Sequence, residues 1–285
     1  MIRDFTRTIA ARDGYPLAAT IFEPEFAQGG PIVVLNSATA VPRKIYGPFA
    51  KALAARGATV LTYDYRGIGD SRPARLRGFR ARMRDWAALD AAGLVDHAVA
   101  HYPNRRLLGV GHSFGGQVFG IMPGNERFDR VLMIAAQAGY WRLLAGGEKW
   151  RVYVILKAIV PAVALPVGFV PGKRLGLGED LPLGVFLEWR RWCLSPRYYY
   201  DDSSLDLLAN LPTLRATALA VGLSDDAWAT PSAIDLLVSK LTNSVERRTI
   251  TPADIGVREI GHFGFFRAEH QKTLWPDMTD WLLAT

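Results

Sequence analysis

Unbroken apolar runs and runs with helical spacing alternate along most of the chain. Pro31-Ile32-Val33-Val34-Leu35-Asn36 and Ala58-Thr59-Val60-Leu61-Thr62-Tyr63 have the pattern of strands covered on both faces. Arg106–Val110 can form a short buried strand, and Phe128–Ala135 reads as a further strand. Between these runs, Ile45–Arg56 and Asp85–His101 place apolar residues at helical spacing, the first stopping at Gly57, and Gly115–Ile121 suits a helix start. Phe5–Ala10 and Tyr15–Phe22 flank Asp13-Gly14, a dipeptide suited to a tight turn, and predict an antiparallel hairpin at one edge. Late in the chain the spacing predicts strands at Thr217–Leu223, Val245–Ile250 and Val257–Ile260, and helices at Ser232–Lys240 and Ala268–Leu283. Strands alternating with helices imply parallel pairing through right-handed crossovers, so the expected class is α/β, a mostly parallel central sheet flanked by helices.

The rhythm stops at about Gln137 and gives way to a stretch rich in Trp, Pro and Gly. We read residues 138–207 as an inserted helical cap and residues 1–137 and 208–285 as the core. Within the insertion Val152–Val170 is mostly apolar and about the length of a membrane span. Lys157 near its middle, Pro161, Pro166 and the adjacent Arg151 argue against a span, and predict instead a pair of short helices, buried or interfacial.

Gly111-His112-Ser113-Phe114-Gly115 lies between an apolar run and a helix start. A G-x-S-x-G in that context forms a sharp strand-to-helix turn that holds the serine hydroxyl clear of the backbone. A serine hydroxyl is a poor nucleophile near neutral pH and needs a base, which in turn needs an orienting group. Both follow in chain order: Ser224-Asp225-Asp226 after one late strand, then Gly261-His262. His97 and His101 fall on a helix before the elbow, His112 packs behind the serine, and His270 falls in the last helix; His262 alone sits in a loop flanked by glycines. The aspartate is a choice between Asp226, the preferred acid, and Asp225, with the other holding the loop through backbone N–H groups. For an oxyanion hole, one donor is expected from the N–H of Phe114 and the second from the loop after Asn36, at Ala38 with Thr39 as fallback.

Composition narrows this picture. With 49% hydrophobic and 21% charged residues in 285, the chain is globular rather than disordered and long enough for a sizeable core. The net charge of +7 owes much to Arg72, Arg75, Arg77, Arg80, Arg82 and Arg84, read as a solvated Arg-rich loop rather than a docking patch. No nucleic-acid-binding motif accompanies them. Cys193 is the one cysteine, so no internal disulfide forms, and the residues around Met1 lack a signal-peptide pattern; the expected location is cytoplasmic. No cofactor and no metal site is expected.

The stretches Asn36-Ser37-Ala38-Thr39, Tyr63-Asp64-Tyr65-Arg66-Gly67-Ile68-Gly69-Asp70-Ser71, Gly111–Gly116, Ser224-Asp225-Asp226 and Gly261-His262-Phe263-Gly264-Phe265-Phe266 together resemble the α/β-hydrolase superfamily. The resemblance covers nearly the whole chain. It is strongest to bacterial predicted hydrolases related to the monoacylglycerol lipase and serine aminopeptidase families. It implies a triad of Ser113, Asp226 and His262 and a cap between the sixth and seventh strands. One departure is Asn36-Ser37, where many relatives carry His-Gly. Serine at the elbow, where dehalogenases and epoxide hydrolases of this fold use aspartate, argues against those two chemistries. The implied activity is a serine hydrolase of carboxylic esters acting on a small, hydrophobic acyl substrate. Rival readings with the same residues are an acyltransferase, a thioesterase or amidase, and a non-catalytic binding protein of this fold. Transient contact with a membrane surface is compatible with the cap.

Overall fold

In the computed structural model, which describes residues 1–25 and 29–285, the apolar runs pair into one eight-stranded sheet. Its strands are β1 (Ile2–Ala10), β2 (Pro16–Pro24), β3 (Ile32–Asn36), β4 (Thr59–Tyr63), β5 (Leu107–His112), β6 (Phe128–Ile134), β7 (Thr217–Leu223) and β8 (Val245–Ile250). The spatial order is β1-β2-β4-β3-β5-β6-β7-β8, with β2 antiparallel to both its neighbours and every other pair parallel. Every residue of β3, β4 and β5 is buried, as their largely apolar sequences require, whereas those of β8 at the edge are half-buried or exposed.

Helices α1 (Gly47–Ala55), α2 (Ala92–His101), α3 (Phe114–Ile121), α6 (Pro231–Val238) and α7 (Trp275–Leu283) accompany the sheet, and α4 (Glu148–Val167) and α5 (Leu183–Cys193) lie in the segment linking β6 to β7. The helix expected over Asp85–His101 is entered through a wide π turn at Trp86–Ala91 before it becomes regular in α2. The one expected over Ala268–Leu283 begins only at Trp275, with Pro276 in its first turn.

Register decides where the chemistry gathers. Asn36 pairs with Gly111, His112 with Ile134, Ile134 with Val221 and Leu223 with Ile250, so the loops after β3, β5 and β7 all leave the sheet at its carboxyl edge. In open α/β sheets that edge is where ligands bind.

Two expected elements are corrected. Val257–Ile260 forms no strand. Pro252 opens a helical turn closed by Gly256 at φ 67°, which carries the chain away from the edge strand β8, and the Ile260 N–H bonds the Asp225 carboxylate rather than a neighbouring strand. The expected pair of short helices within Val152–Val170 is instead one continuous helix, α4. A π turn at Ile155–Ile159 loosens the hydrogen-bond ladder just ahead of Pro161, where the missing N–H and the ring would otherwise break it. Pro166 falls in the last turn before Gly168.

The arginine-rich segment also departs from expectation, since part of it pairs with acids in the segment linking β6 to β7. Arg84 binds Glu188 on α5 at 2.7 Å and Asp202 at 3.2 Å, and Arg72 binds Asp180 at 2.7 Å. Arg75, Arg77, Arg80 and Arg82 remain exposed.

Candidate active site

Ser113 sits between β5 and α3 with φ 53° and ψ −118°, a backbone region that a residue bearing a Cβ rarely occupies. The flanking glycines make this turn possible. A Cβ on Gly111 would lie 2.5 Å from the Gly115 backbone, and one on Gly115 would lie 2.1 Å from the Asn36 carbonyl oxygen. The Ser113 side chain does not cap the helix it heads, and its N–H bonds the Ile134 carbonyl at 2.9 Å. As the first residue of α3, Phe114 has no carbonyl within the helix for its N–H to bond.

Asp226, not Asp225, is brought to His262: its Oδ2 lies 2.6 Å from His262 Nδ1. Oδ1 accepts the N–H groups of Trp228 and Ala229 at 2.8 and 3.0 Å. Burial alone would raise the Asp226 carboxyl, but the hydrogen bond and charge of His262 and these two N–H groups outweigh it and hold the group below the ordinary carboxylate range. Asp225 Oδ2 accepts the N–H groups of Ile260 and Gly261 at 2.7 and 3.0 Å, fixing the loop that presents His262. Ser113 and His262 line the same cavity.

The histidine inside the pentapeptide joins two parts of the site. His112 Nε2 lies 2.9 Å from the His262 carbonyl, which only accepts, so Nε2 carries the proton. Burial, with repulsion from His262, pushes the His112 pKa down to about 3, so its Nδ1 is an acceptor and takes the Tyr46 hydroxyl proton at 2.9 Å. The Tyr46 oxygen in turn accepts the Ala38 N–H at 2.8 Å. This buried chain runs from the loop after β3 to the carbonyl of His262. The Ala38 N–H, expected as the second oxyanion donor, is thus engaged by Tyr46. The Thr39 N–H, the fallback, takes part in no backbone hydrogen bond among the described residues, and Thr39 lines the cavity.

Asn36 and Asp64 hold that loop. Asn36 accepts the Tyr63 hydroxyl at 2.7 Å and donates to the Gly115 carbonyl at 3.3 Å, bracing the loop after β3 against the Ser113 turn. The Asp64 carboxylate accepts the Arg43 N–H at 2.6 Å and the Asp70 N–H at 2.9 Å, and pairs with the Arg43 guanidinium.

The whole arrangement falls within residues 32–271, the span over which the chain matches the family model described as "Alpha/beta hydrolase family". The chain belongs to that family. No curated protein matches it. Among solved structures, this hydrolase is similar to DcsB in complex with its substrate analogue, at 14% identity and a TM-score of 0.67, over 98% of this chain and 99% of that one. It is also similar to the Pyrococcus furiosus esterase Pf2001, at 13% identity and a TM-score of 0.64 over 99% and 92%. A third is Est1E from Butyrivibrio proteoclasticus with ferulic acid bound, at 13% identity and a TM-score of 0.62 over 98% and 100%. Likeness at such identity speaks to the fold alone.

The hydrolase encloses a cavity of about 1110 Å³ above Ser113, between the carboxyl edge of the sheet and the segment linking β6 to β7. Val152, Leu156 and Val160 of α4 and Phe186 of α5 form its apolar roof. Two contacts tie this roof to the reacting loops. The Trp228 indole N–H donates to Glu148 at the start of α4 at 2.8 Å, and the Glu179 N–H donates to the Ala40 carbonyl at 3.0 Å. Tyr46, Trp228 and Glu148 were not singled out as site residues from sequence, since nothing in the linear pattern marks a tyrosine or tryptophan whose role is to receive or give one distant hydrogen bond. His112, read as packing, does pack, and its two ring nitrogens carry the connection.

Proposed function

We propose that the protein is a cofactor-independent serine hydrolase of carboxylic esters with a hydrophobic acyl part. The observation that carries this reading is the 2.6 Å hydrogen bond from buried Asp226 to His262, which lines one largely apolar cavity together with the strained Ser113. With Nδ1 donating to Asp226, His262 keeps Nε2 for the Ser113 proton. The serine oxygen attacks the acyl carbon, and the negative charge that develops on the carbonyl oxygen is met by the N–H groups of Phe114 and Thr39. The alcohol departs with the proton held on His262, leaving an acyl-enzyme. Water then gives a proton to His262 and its oxygen to the acyl carbon, and the bond to Ser113 breaks as His262 returns that proton to the serine oxygen, so the free acid leaves and the hydroxyl is restored. The apolar roof supports an acyl chain as the buried part of the substrate.

The test is a panel of esters of graded acyl length, with thioesters and amides beside them, assayed on the wild type and Ser113→Ala, together with labelling by a fluorophosphonate. Turnover and labelling by the wild type alone are expected, with esters of apolar acids preferred. Equal turnover by Ser113→Ala removes the serine mechanism, and absence of labelling in both points to a binding protein. Products formed with an added alcohol separate hydrolysis from transfer, and release of free acid is the expected result.

A further inference from the structure

Helix α4 presents two different apolar faces. Val152, Leu156, Val160 and Ala164, spaced four residues apart, are buried, and the first three line the cavity. On the outside, Trp150 is 57% exposed, Val154 48%, Ile159 46% and Leu165 57%, interspersed with the exposed Arg151 and Lys157. A solvent-facing helix surface is ordinarily polar, and a run of large exposed apolar side chains marks a surface that something covers.

Charge identifies the covering partner. From Lys149 to Gly178 the chain carries Lys149, Arg151, Lys157, Lys173 and Arg174 and no acidic residue. Arg151 pairs with Glu148 and Lys173 with Glu179 at the two ends of this stretch, while Lys149, Lys157 and Arg174 form no ion pair among the described residues. A second copy seated on this face would set its lysines against those of the first, and the one carboxylate of α4, Glu148, is already held by Arg151 and Trp228. A membrane span would pull the buried row from Val152 to Ala164 off the core and place Lys157 in hydrocarbon. A tryptophan at one end, aliphatic side chains along one face and basic residues among them are the features of a helix lying in the plane of a lipid interface.

We propose that the outer face of α4 docks the protein on an anionic lipid surface. Arg151 belongs both to this face and to the cavity lining, where it is joined by the exposed Ile45 and Phe263 and by Lys44, Arg267 and the acidic Glu269. Docking therefore sets the cavity mouth beside the lipid. The inference goes beyond the hydrolase reading and does not need it, since binding is measured without turnover.

The experiment is co-sedimentation of the full chain with phosphatidylcholine vesicles, with and without a minority of phosphatidylserine. The expected result is pelleting with the phosphatidylserine vesicles, weakened about tenfold or more at high salt. Lys157→Ala weakens it about fivefold, and the double variant Ile159→Ser, Leu165→Ser about thirtyfold. None of these three residues lines the cavity, so an unchanged thermal melt and unchanged turnover of a soluble short-chain ester show that the variants fold. Ser113→Ala partitions like the wild type, which keeps failure of docking distinct from failure of the hydrolase reading. The proposal is overturned by absence of pelleting, by equal, salt-insensitive pelleting with phosphatidylcholine alone, by membrane retention that only detergent reverses, or by a dimer in solution that the double variant dissociates.

Discussion

The nucleophile region and the outer face of α4 place side chains against their usual preference in opposite ways. Around Ser113, polar groups lie in an apolar interior, and hydrogen bonds join them: Ala38 to Tyr46, Tyr46 to His112, His112 to His262, His262 to Asp226. On α4, apolar groups lie against water, about half of each left uncovered by the described residues. A buried polar group without a partner costs about 1–3 kcal/mol, so the first arrangement is self-contained and rigid. The second is complete only with something outside the chain. The contrast divides the protein into a part that sets the chemistry and a part that sets where the chemistry takes place.

The largest expected effect bears on the first part. Ser113→Ala lowers ester turnover by a factor on the order of 10⁶, measured as kcat on the best ester of the panel, while Ile159→Ser, Leu165→Ser leaves turnover of a soluble ester at the wild-type value. A large loss in the double variant would erase the division. Next, Asp226→Asn lowers kcat about 10⁴-fold because the His262 tautomer is no longer fixed. Asp225→Asn costs about tenfold or less, because an amide oxygen still accepts the Ile260 and Gly261 N–H groups. The reverse ranking would exchange the roles of the two aspartates. Tyr46→Phe strips a partner from both Ala38 and His112, and urea denaturation should show a loss of about 1–3 kcal/mol. A variant as stable as the wild type would mean that the chain of hydrogen bonds contributes nothing.

The smallest effect is one of pH. His112 ordinarily titrates at 6.5 but is held at about 3 in the folded protein. Between those values the unfolded chain binds a proton that the folded one refuses. The stability contributed by neutral His112 is therefore complete above 6.5 and is lost as pH falls toward about 3. Asp226, whose carboxyl is held below its ordinary range, adds a loss of the same sign at the acid end. The unfolding free energy should fall from about pH 7 to about pH 5 in the wild type and fall less in His112→Asn. An equal slope in the two would place the titration elsewhere.

Much of the core was legible because burial writes itself into sequence one residue at a time. The runs around Val34, Leu61, Val110 and Leu132 are largely apolar, and each became a strand. Legibility failed where a pattern required a neighbour. Val257–Ile260 reads as a strand and has no strand beside it. Ala38 sits at the expected position for an oxyanion donor, yet a tyrosine eight residues away takes its N–H. Pro161 and Pro166 read as breaks in α4, and a π turn absorbs the first. The arginines between 72 and 84 read as a solvated run, but Arg72 and Arg84 meet acids more than a hundred residues later in the chain.

By itself the sequence determined the class of the sheet, the serine turn and the order Ser, Asp, His. These rest on local needs: apolar strands for a buried sheet, glycines where backbones approach closely, and residue types that alone perform proton transfer. Tertiary structure decided which of two adjacent aspartates meets His262, which N–H after Asn36 stays open, and which face of α4 is left bare. Each of these depends on what lies opposite a group in space, within about 3 Å for a hydrogen bond and across a whole helix face for burial, and no spacing along the chain encodes it.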